Sequence, residues 1–249
     1  SFSDGGKFLS RQAALDRAHA MVEQGAAIVD LGGESTRPGA APVTVAEELE
    51  RVLPVVEALA AELPVPVSID TSKPEVMRAT VAAGAGLIND VLALRTEGAL
   101  SAASESGVPV CLMHMQGEPR TMQMQPAYSD VVVEVNRFLA ERVAACEAAG
   151  IPRHRLLVDP GFGFGKDLHH NLALLRHLDR LAELGLPVLV GISRKSMLGA
   201  LTARAVEHRL AGSLAAAVLA VVKGASIVRA HDVADTVDAL KVASAVLGT

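Results

Sequence analysis

No excess of positive charge runs through this sequence. Its 249 residues carry 23 Lys and Arg against 28 Asp and Glu, a formal net charge of −5. That balance excludes a global nucleic-acid or anionic-membrane footprint. Any anion bound must meet a local cluster of basic groups. Cysteine is scarce. Cys111 and Cys146 are the two present, too few for a disulfide framework or a zinc pattern, and a reducing cytoplasm is the simpler expectation. Long apolar runs are missing too: none approaches the roughly 18 residues that a membrane span needs. No signal peptide is read. The first residue is Ser1 rather than Met, so the natural start is expected to be missing or processed. No Gly/Ser linker or charge block divides the chain, so one domain over 1–249 is expected.

Half of the sequence is apolar, and that half is patterned. Short apolar runs alternate with helix-period segments from end to end. The runs are Ala27-Ile28-Val29, Val67-Ser68-Ile69, Leu87-Ile88, Val108 to Met113, Leu156-Leu157-Val158, Pro187 to Val190 and Ile227-Val228. Between them lie stretches such as Leu9–Glu23, Val45–Glu62 and Asp130–Ala149. Strand and helix in alternation predict βαβ units and parallel pairing. Strands buried on both faces read as continuous apolar runs, as these do. Nearly every run ends in a polar or glycine cluster: Asp30 to Glu34, Asp70-Thr71, Asn89-Asp90, His114, Asp159-Pro160-Gly161, Gly191-Ile192-Ser193 and Arg229-Ala230-His231. An open doubly wound sheet places its ligands at one switch point. A (β/α)8 barrel gathers every strand C-terminus on one face, where active sites sit. Seven polar strand ends favour the α/β barrel, and seven strands are one short of closure.

The stretch Gly161-Phe162-Gly163-Phe164-Gly165-Lys166 invites comparison with a phosphate loop and fails it. A Walker loop requires G-x-x-x-x-G-K-[ST]. Here Pro160 holds the first glycine position and Asp167 follows the lysine.

Sorted by charge, the strand-end residues form two sets. Asp70, Asn89 and Asp159 suit a neutral heterocycle rich in N–H and C=O groups, since a carboxylate pairs in bidentate fashion with a ring N–H and its amino neighbour. Arg37, Lys195, Arg229 and His231 suit a phosphate or diphosphate. Each residue also has a plain reading. Asp70 reads equally as a cap for the next helix, and Asp159 and Asn89 as turn residues. Arg37 reads as a solvated loop group, Lys195 as a helix start, and His231-Asp232 as a cap pair. His169 and His170 read as a solvated helix surface with no role. Met113 and Val91 read as pocket lining or as core.

At this point the motifs resemble a known family. Ser1-Phe2-Ser3-Asp4-Gly5-Gly6 is similar to the tail of the dihydropteroate synthase opening signature, and Gly32-Gly33-Glu34-Ser35-Thr36-Arg37-Pro38-Gly39 to its second signature. Ser68-Ile69-Asp70-Thr71, Ile88-Asn89-Asp90, Asp159 to Phe164, Ser193-Arg194-Lys195-Ser196 and Arg229-Ala230-His231-Asp232 follow in order. The resemblance covers Ser1 to the C-terminus and is nearest the proteobacterial branch.

It implies a (β/α)8 barrel, usually a homodimer, that condenses (7,8-dihydropterin-6-yl)methyl diphosphate with 4-aminobenzoate and uses Mg2+. It implies a pterin site at Asp70, Asn89, Asp159 and Lys195, and a diphosphate site at Thr36, Arg37, Arg229 and His231. It further implies a 4-aminobenzoate site at Phe2, Arg37, Pro38, Phe164, Lys195 and Ser196, shared with sulfonamides. The family's first strand and its Mg2+-binding Asn would precede Ser1. No protein ligand for the metal is therefore assigned. A pterin-binding protein that lacks catalysis, for want of that strand, is the alternative expectation.

Overall fold

The computed structural model describes residues 11–36, 40–117 and 121–248. Their contacts divide into two compact units, one of Ser1–Met113 with Arg142–Leu156, the other of His114–Glu141 with Leu157–Thr249.

In the first unit, helices and strands alternate as α1 (Arg11–Glu23), β1 (Val29–Gly32), α2 (Val45–Glu62), β2 (Val67–Asp70), α3 (Pro74–Ala82), β3 (Leu87–Asp90), α4 (Ala99–Ser106) and β4 (Val110–Met113). The strands run parallel in the order β1-β2-β3-β4. Ile69, Ile88, Val110, Cys111 and Leu112 are wholly buried, as expected of strands covered on both faces. Pairing puts Gly32 beside Asp70 and Asp70 beside Asn89. Residues paired across parallel strands project to the same face, so the Asp70 and Asn89 side chains share one. Gly32 leaves room for this arrangement, because a Cβ there would lie 3.3 Å from Asp70 Cβ.

Local chemistry sets the helix starts. Thr44 caps α2 by accepting from Glu47 N–H, while the Glu47 carboxylate reaches back to Thr44 N–H, a reciprocal closure of two orphan donors. Pro74 opens α3, where its missing N–H costs nothing.

Helix α5 (Val131–Ala148) and β5 (Leu156–Asp159) lead on through the chain. The second unit continues with α6 (Leu168–Arg176), α7 (Leu178–Ala182), β6 (Leu189–Val190), α8 (Ser196–Thr202), α9 (Leu210–Val222), β7 (Ile227–Val228) and α10 (Val233–Leu247). A parallel bridge joins Val158 to Val188, and β6 pairs in parallel with β7. Seven strands are thus present among the described residues, each overlapping one of the expected apolar runs. The last two have two residues each: β6 is shorter than the run Pro187 to Val190, and β7 coincides with Ile227-Val228.

Candidate active site

In the first unit the polar strand ends are built as a scaffold and its outward groups. The buried Asp90 carboxylate accepts from Leu92 N–H at 2.8 Å, from Leu94 N–H at 2.7 Å and from the Ser72 hydroxyl. Burial pushes its pKa up, and those hydrogen bonds work against the rise. The turn it holds carries Ala93 and Leu94 at positive φ, 53° and 57°. Arg142 locks the same turn by donating to both carbonyls. Asn89 is only 6% exposed. Its Oδ1 is buried without a hydrogen-bond partner among the described residues. Such an unmet acceptor is uncommon and calls for an explanation; a ring N–H or amino group would satisfy it.

The cap reading of Asp70 is corrected. Lys73, not Asp70, occupies the cap position of α3, and its side chain makes no capping bond. The Lys73 ammonium reaches Glu34 and the buried Glu48 instead. Burial works against the Lys73 charge, but the hydrogen bonds with the two glutamates outweigh it and its pKa is raised. Glu34 also accepts from Val43 N–H, and Arg51 donates to Gly33 O. These contacts tie down both ends of the segment that carries Thr36, Arg37 and Pro38. Thr36 is half-buried. Arg37, Pro38 and Phe2 lie outside the described residues.

In the second unit Asp159 ends β5 and is 6% exposed. Its turn reading holds in part, since Oδ1 accepts from Gly161 N–H at 2.7 Å. Burial raises its pKa; the Lys195, Lys166 and Arg229 charges and the Gly161 hydrogen bond oppose that rise. Lys195 does take the cap position of α8, yet its side chain makes no capping bond. Its ammonium donates to Phe162 O and lies 4.7 Å from the centre of the Phe164 ring. A Cβ on Gly191 would be 3.9 Å from both Arg229 Cβ and Lys195 Nζ. Lys195 and Arg229 therefore flank one glycine. Arg229 and Ser196 are exposed, and His231 is half-buried.

The cap-pair reading of His231-Asp232 holds in position only, since Asp232 takes the cap position of α10. Asp232 makes no side-chain cap to α10. Its carboxylate takes a two-pronged bond from Arg194, with Nε–Oδ2 at 2.9 Å. His231 N–H donates to Ser193 Oγ, and its Nδ1 lies 3.0 Å from the same oxygen. Two side-chain pairs thus stitch the loop after β6 to the loop after β7. Arg194 sits at φ 59°, a strained setting for a non-glycine residue. Its N–H donates to Ser213 Oγ, and Arg209 donates to its carbonyl.

Several of these groups escaped the sequence reading. Lys166 is 2% exposed, and its ammonium is taken up by the loop it follows. It donates to Gly161 O and Phe164 O and contacts His114 Nδ1, each at 2.9 Å. That geometry agrees with the rejection of a nucleotide role. His170 is not a solvated surface group. It closes the Asp167 cap of α6 and meets the Tyr128 ring edge-on at 4.9 Å. A capping signal was available in Asp167, three residues upstream. Met113 and Val91 are both buried.

Comparison with known proteins now bears on this geometry. The model of the pterin binding enzyme family matches residues 1–231, a span that reaches from before Phe2 to His231. The dihydropteroate synthase of Escherichia coli K12 is 56% identical over 247 residues, covering 99% of this chain and 88% of that protein. The crystal structure of the Yersinia pestis dihydropteroate synthase with a sulfonamide drug superposes with a TM-score of 0.97 at 51% identity, over all of this chain and 90% of the other. That of the Xanthomonas albilineans enzyme in complex with 7,8-dihydropteroate gives 0.89 at 53%, over 98% and 90%. Likeness of this degree makes the fold the α/β barrel kind expected from the strand ends. The chain belongs to the pterin binding enzyme family, within its dihydropteroate synthase branch.

Proposed function

We propose that this chain condenses (7,8-dihydropterin-6-yl)methyl diphosphate with 4-aminobenzoate, giving 7,8-dihydropteroate and diphosphate, a transferase reaction of folate biosynthesis. The observation that carries the proposal is Asp159, a buried carboxylate with the charges of Lys195 and Arg229 beside it. Asp159, Asp70, Asn89 and Lys195 hold the pterin ring. Thr36, Arg37, Arg229 and His231 hold the diphosphate. Phe2, Arg37, Pro38, Phe164, Lys195 and Ser196 receive 4-aminobenzoate, and sulfonamides compete for those residues. The chain works as one domain over 1–249.

The chemistry is a substitution at the methylene carbon. Negative charge develops on the departing diphosphate oxygen, and fixed cations aimed at it lower the barrier most. Arg229 and His231 supply that field. Hydrogen bonds from ring N–H groups to Asp159 and Asp70 stabilise positive charge left on the pterin. The aromatic amine is neutral near pH 7, so it needs positioning rather than deprotonation. No general base and no covalent enzyme intermediate are required. Mg2+ is proposed from the resemblance. Among the described residues no group of three or more His, Cys, Asp or Glu is arranged to hold a metal, so no step is routed through it. When bound, it would neutralise diphosphate charge, with substrate oxygens as its main ligands.

A homodimer and a cytoplasmic location complete the proposal. Leu219 and Val222 on α9 and Val242 and Val246 on α10 are exposed apolar side chains on helices that pack together, which supports pairing of two copies. Among the described residues no helix is long and apolar enough to cross a membrane. Light scattering of the native protein is expected to give the mass of two chains, and Leu219→Asp with Val246→Asp the mass of one. A native mass of one chain would remove the dimer.

The reaction itself is tested by diphosphate release. Release that requires both the pterin diphosphate and 4-aminobenzoate, and that a sulfonamide suppresses, is the expected result. Pterin binding without release would leave a pterin-binding protein that lacks catalysis.

A further inference from the structure

We infer that Lys166 is a positioning residue for this reaction: its ammonium fixes the turn that aims Asp159, Phe164 and Lys195, and in doing so holds His114 neutral with its proton on Nε2. The inference rests on the proposed pterin site, and it begins from donor geometry. A lysine ammonium has three N–H donors and no acceptor. Three atoms lie 2.9 Å from Nζ: Gly161 O, Phe164 O and His114 Nδ1. His114 O stands further off, at 3.4 Å. Three donors facing three acceptors require a lone pair on His114 Nδ1, so the ring proton sits on Nε2. An uncharged amine would reverse that last bond and place the proton on Nδ1. The two states are therefore distinguishable at His114.

The bonds form a closed circuit around Asp159. Gly161 N–H donates to Asp159 Oδ1, and Gly161 O accepts from Lys166. Lys166 meets His114 Nδ1, and His114 N–H donates to Asp159 O at 2.9 Å. A branch of the same anchor runs to the cation of the site. Lys166 holds Phe164 O, Lys195 lies over the Phe164 ring, and Lys195 donates to Phe162 O. The two carbonyls that Lys166 grips are the two ends of the Gly161–Phe164 turn, across which Phe164 N–H also donates to Gly161 O at 3.1 Å. Burial, with the Lys195 charge, pulls the Lys166 pKa well below the ordinary lysine value, and the Asp159 charge works against that pull. The three acceptors at 2.9 Å are what favour the ammonium. His114 is 5% exposed and packs edge-on against Phe138 at 4.9 Å, which fixes its ring plane.

Other bonds hold the rest of this loop, so the turn survives loss of the lysine. Gly163 N–H donates to Asn171 Oδ1, and Tyr128 OH donates to Gly165 O. Lys166→Met keeps length and loses both charge and donors. The groups facing Asp159 are Lys195, Lys166 and Arg229, and Tyr128 stands near His114 with its own pKa raised by burial. Removing one of three cations lifts the Asp159 pKa further. Ring binding needs Asp159 ionised, so its acid limb must move to higher pH.

The experiment has two arms. In the first, 15N-histidine spectra of the native protein, with His114 assigned through His114→Gln, are recorded on both sides of the ordinary histidine pKa of about 6.5. A neutral ring with the proton on Nε2 throughout is expected. A proton on Nδ1, or ordinary titration, overturns the inference without touching the proposed reaction. In the second, a bare pterin is titrated into native protein and Lys166→Met. A loss of affinity of roughly 10- to 150-fold is expected, that of one misdirected hydrogen bond to the Asp159 carboxylate, with the acid limb moved upward. Native affinity and an unmoved limb in folded Lys166→Met overturn it. Should that variant not fold, the histidine spectra decide alone. Failure of the native protein to bind a pterin would sink the proposed reaction instead, and again leave Lys166 to the spectra.

Discussion

Asp159→Ala is expected to weaken binding of a bare pterin by more than about 100-fold. A hydrogen bond to a charged group contributes roughly 1.5–3 kcal/mol, or 10- to 150-fold. The carboxylate would meet more than one ring donor, and its loss would strand them in a site where Asp159 is only 6% exposed. The fold has little reason to suffer. Burial makes the ionised carboxylate unfavourable, as its raised pKa records, and within its own loop the carboxylate accepts from Gly161 N–H. Asp159→Asn sharpens the test. If its Oδ1 keeps Gly161 N–H, its NH2 faces the pterin donors, and affinity falls although shape is retained. Isothermal titration, with melting temperature as the control for folding, reads both variants. The native protein should also lose pterin affinity as pH falls through the raised Asp159 pKa, at a higher pH than an ordinary aspartate would dictate.

Arg229→Ala should act on the other half of the substrate. Its kcat/KM for the pterin diphosphate is expected to fall by roughly 10- to 150-fold, the range for one charge-assisted bond. Binding of a bare pterin should survive. Arg229 is exposed, and such substitutions usually change stability by less than about 0.5 kcal/mol. One cross-effect follows from geometry. Arg229 is among the charges that hold the Asp159 pKa down, so bare-pterin affinity should slip modestly at acid pH and hold near neutrality. Steady-state kinetics with both substrates separate the two effects.

These expectations start from residues that the sequence made visible, for a definite reason. Parallel strands covered on both faces leave unbroken apolar runs, and Val110–Met113 is one such strand, wholly buried along most of its length. The polar residue that ends such a run stands out: Asp70 and Asp159 are the last residues of β2 and β5. What stayed hidden was the partner of each polar group. Lys73 meets Glu34 39 residues away, Arg194 meets Asp232 38 away, and Lys166 meets His114 52 away. No helical or strand period links such positions; only the completed fold brings them together. Asp70 and Asp232 were open to cap readings because Asp70 lies four residues before α3 and Asp232 immediately before α10. The helices they precede are held by packing and by Pro74 instead. Lys166 was weighed against an external phosphate, and its partners proved to be the carbonyls of its own loop.

The separation of ring and tail is the claim on which the rest depends, and one calorimetric comparison reaches it directly. A bare pterin and its methyl diphosphate are titrated into native protein, Asp159→Ala and Arg229→Ala near neutral pH. The account predicts that Asp159→Ala weakens both ligands, while Arg229→Ala weakens the diphosphate and spares the bare ring. Equal losses for both ligands in Arg229→Ala, or native affinity for the ring in Asp159→Ala, would contradict it.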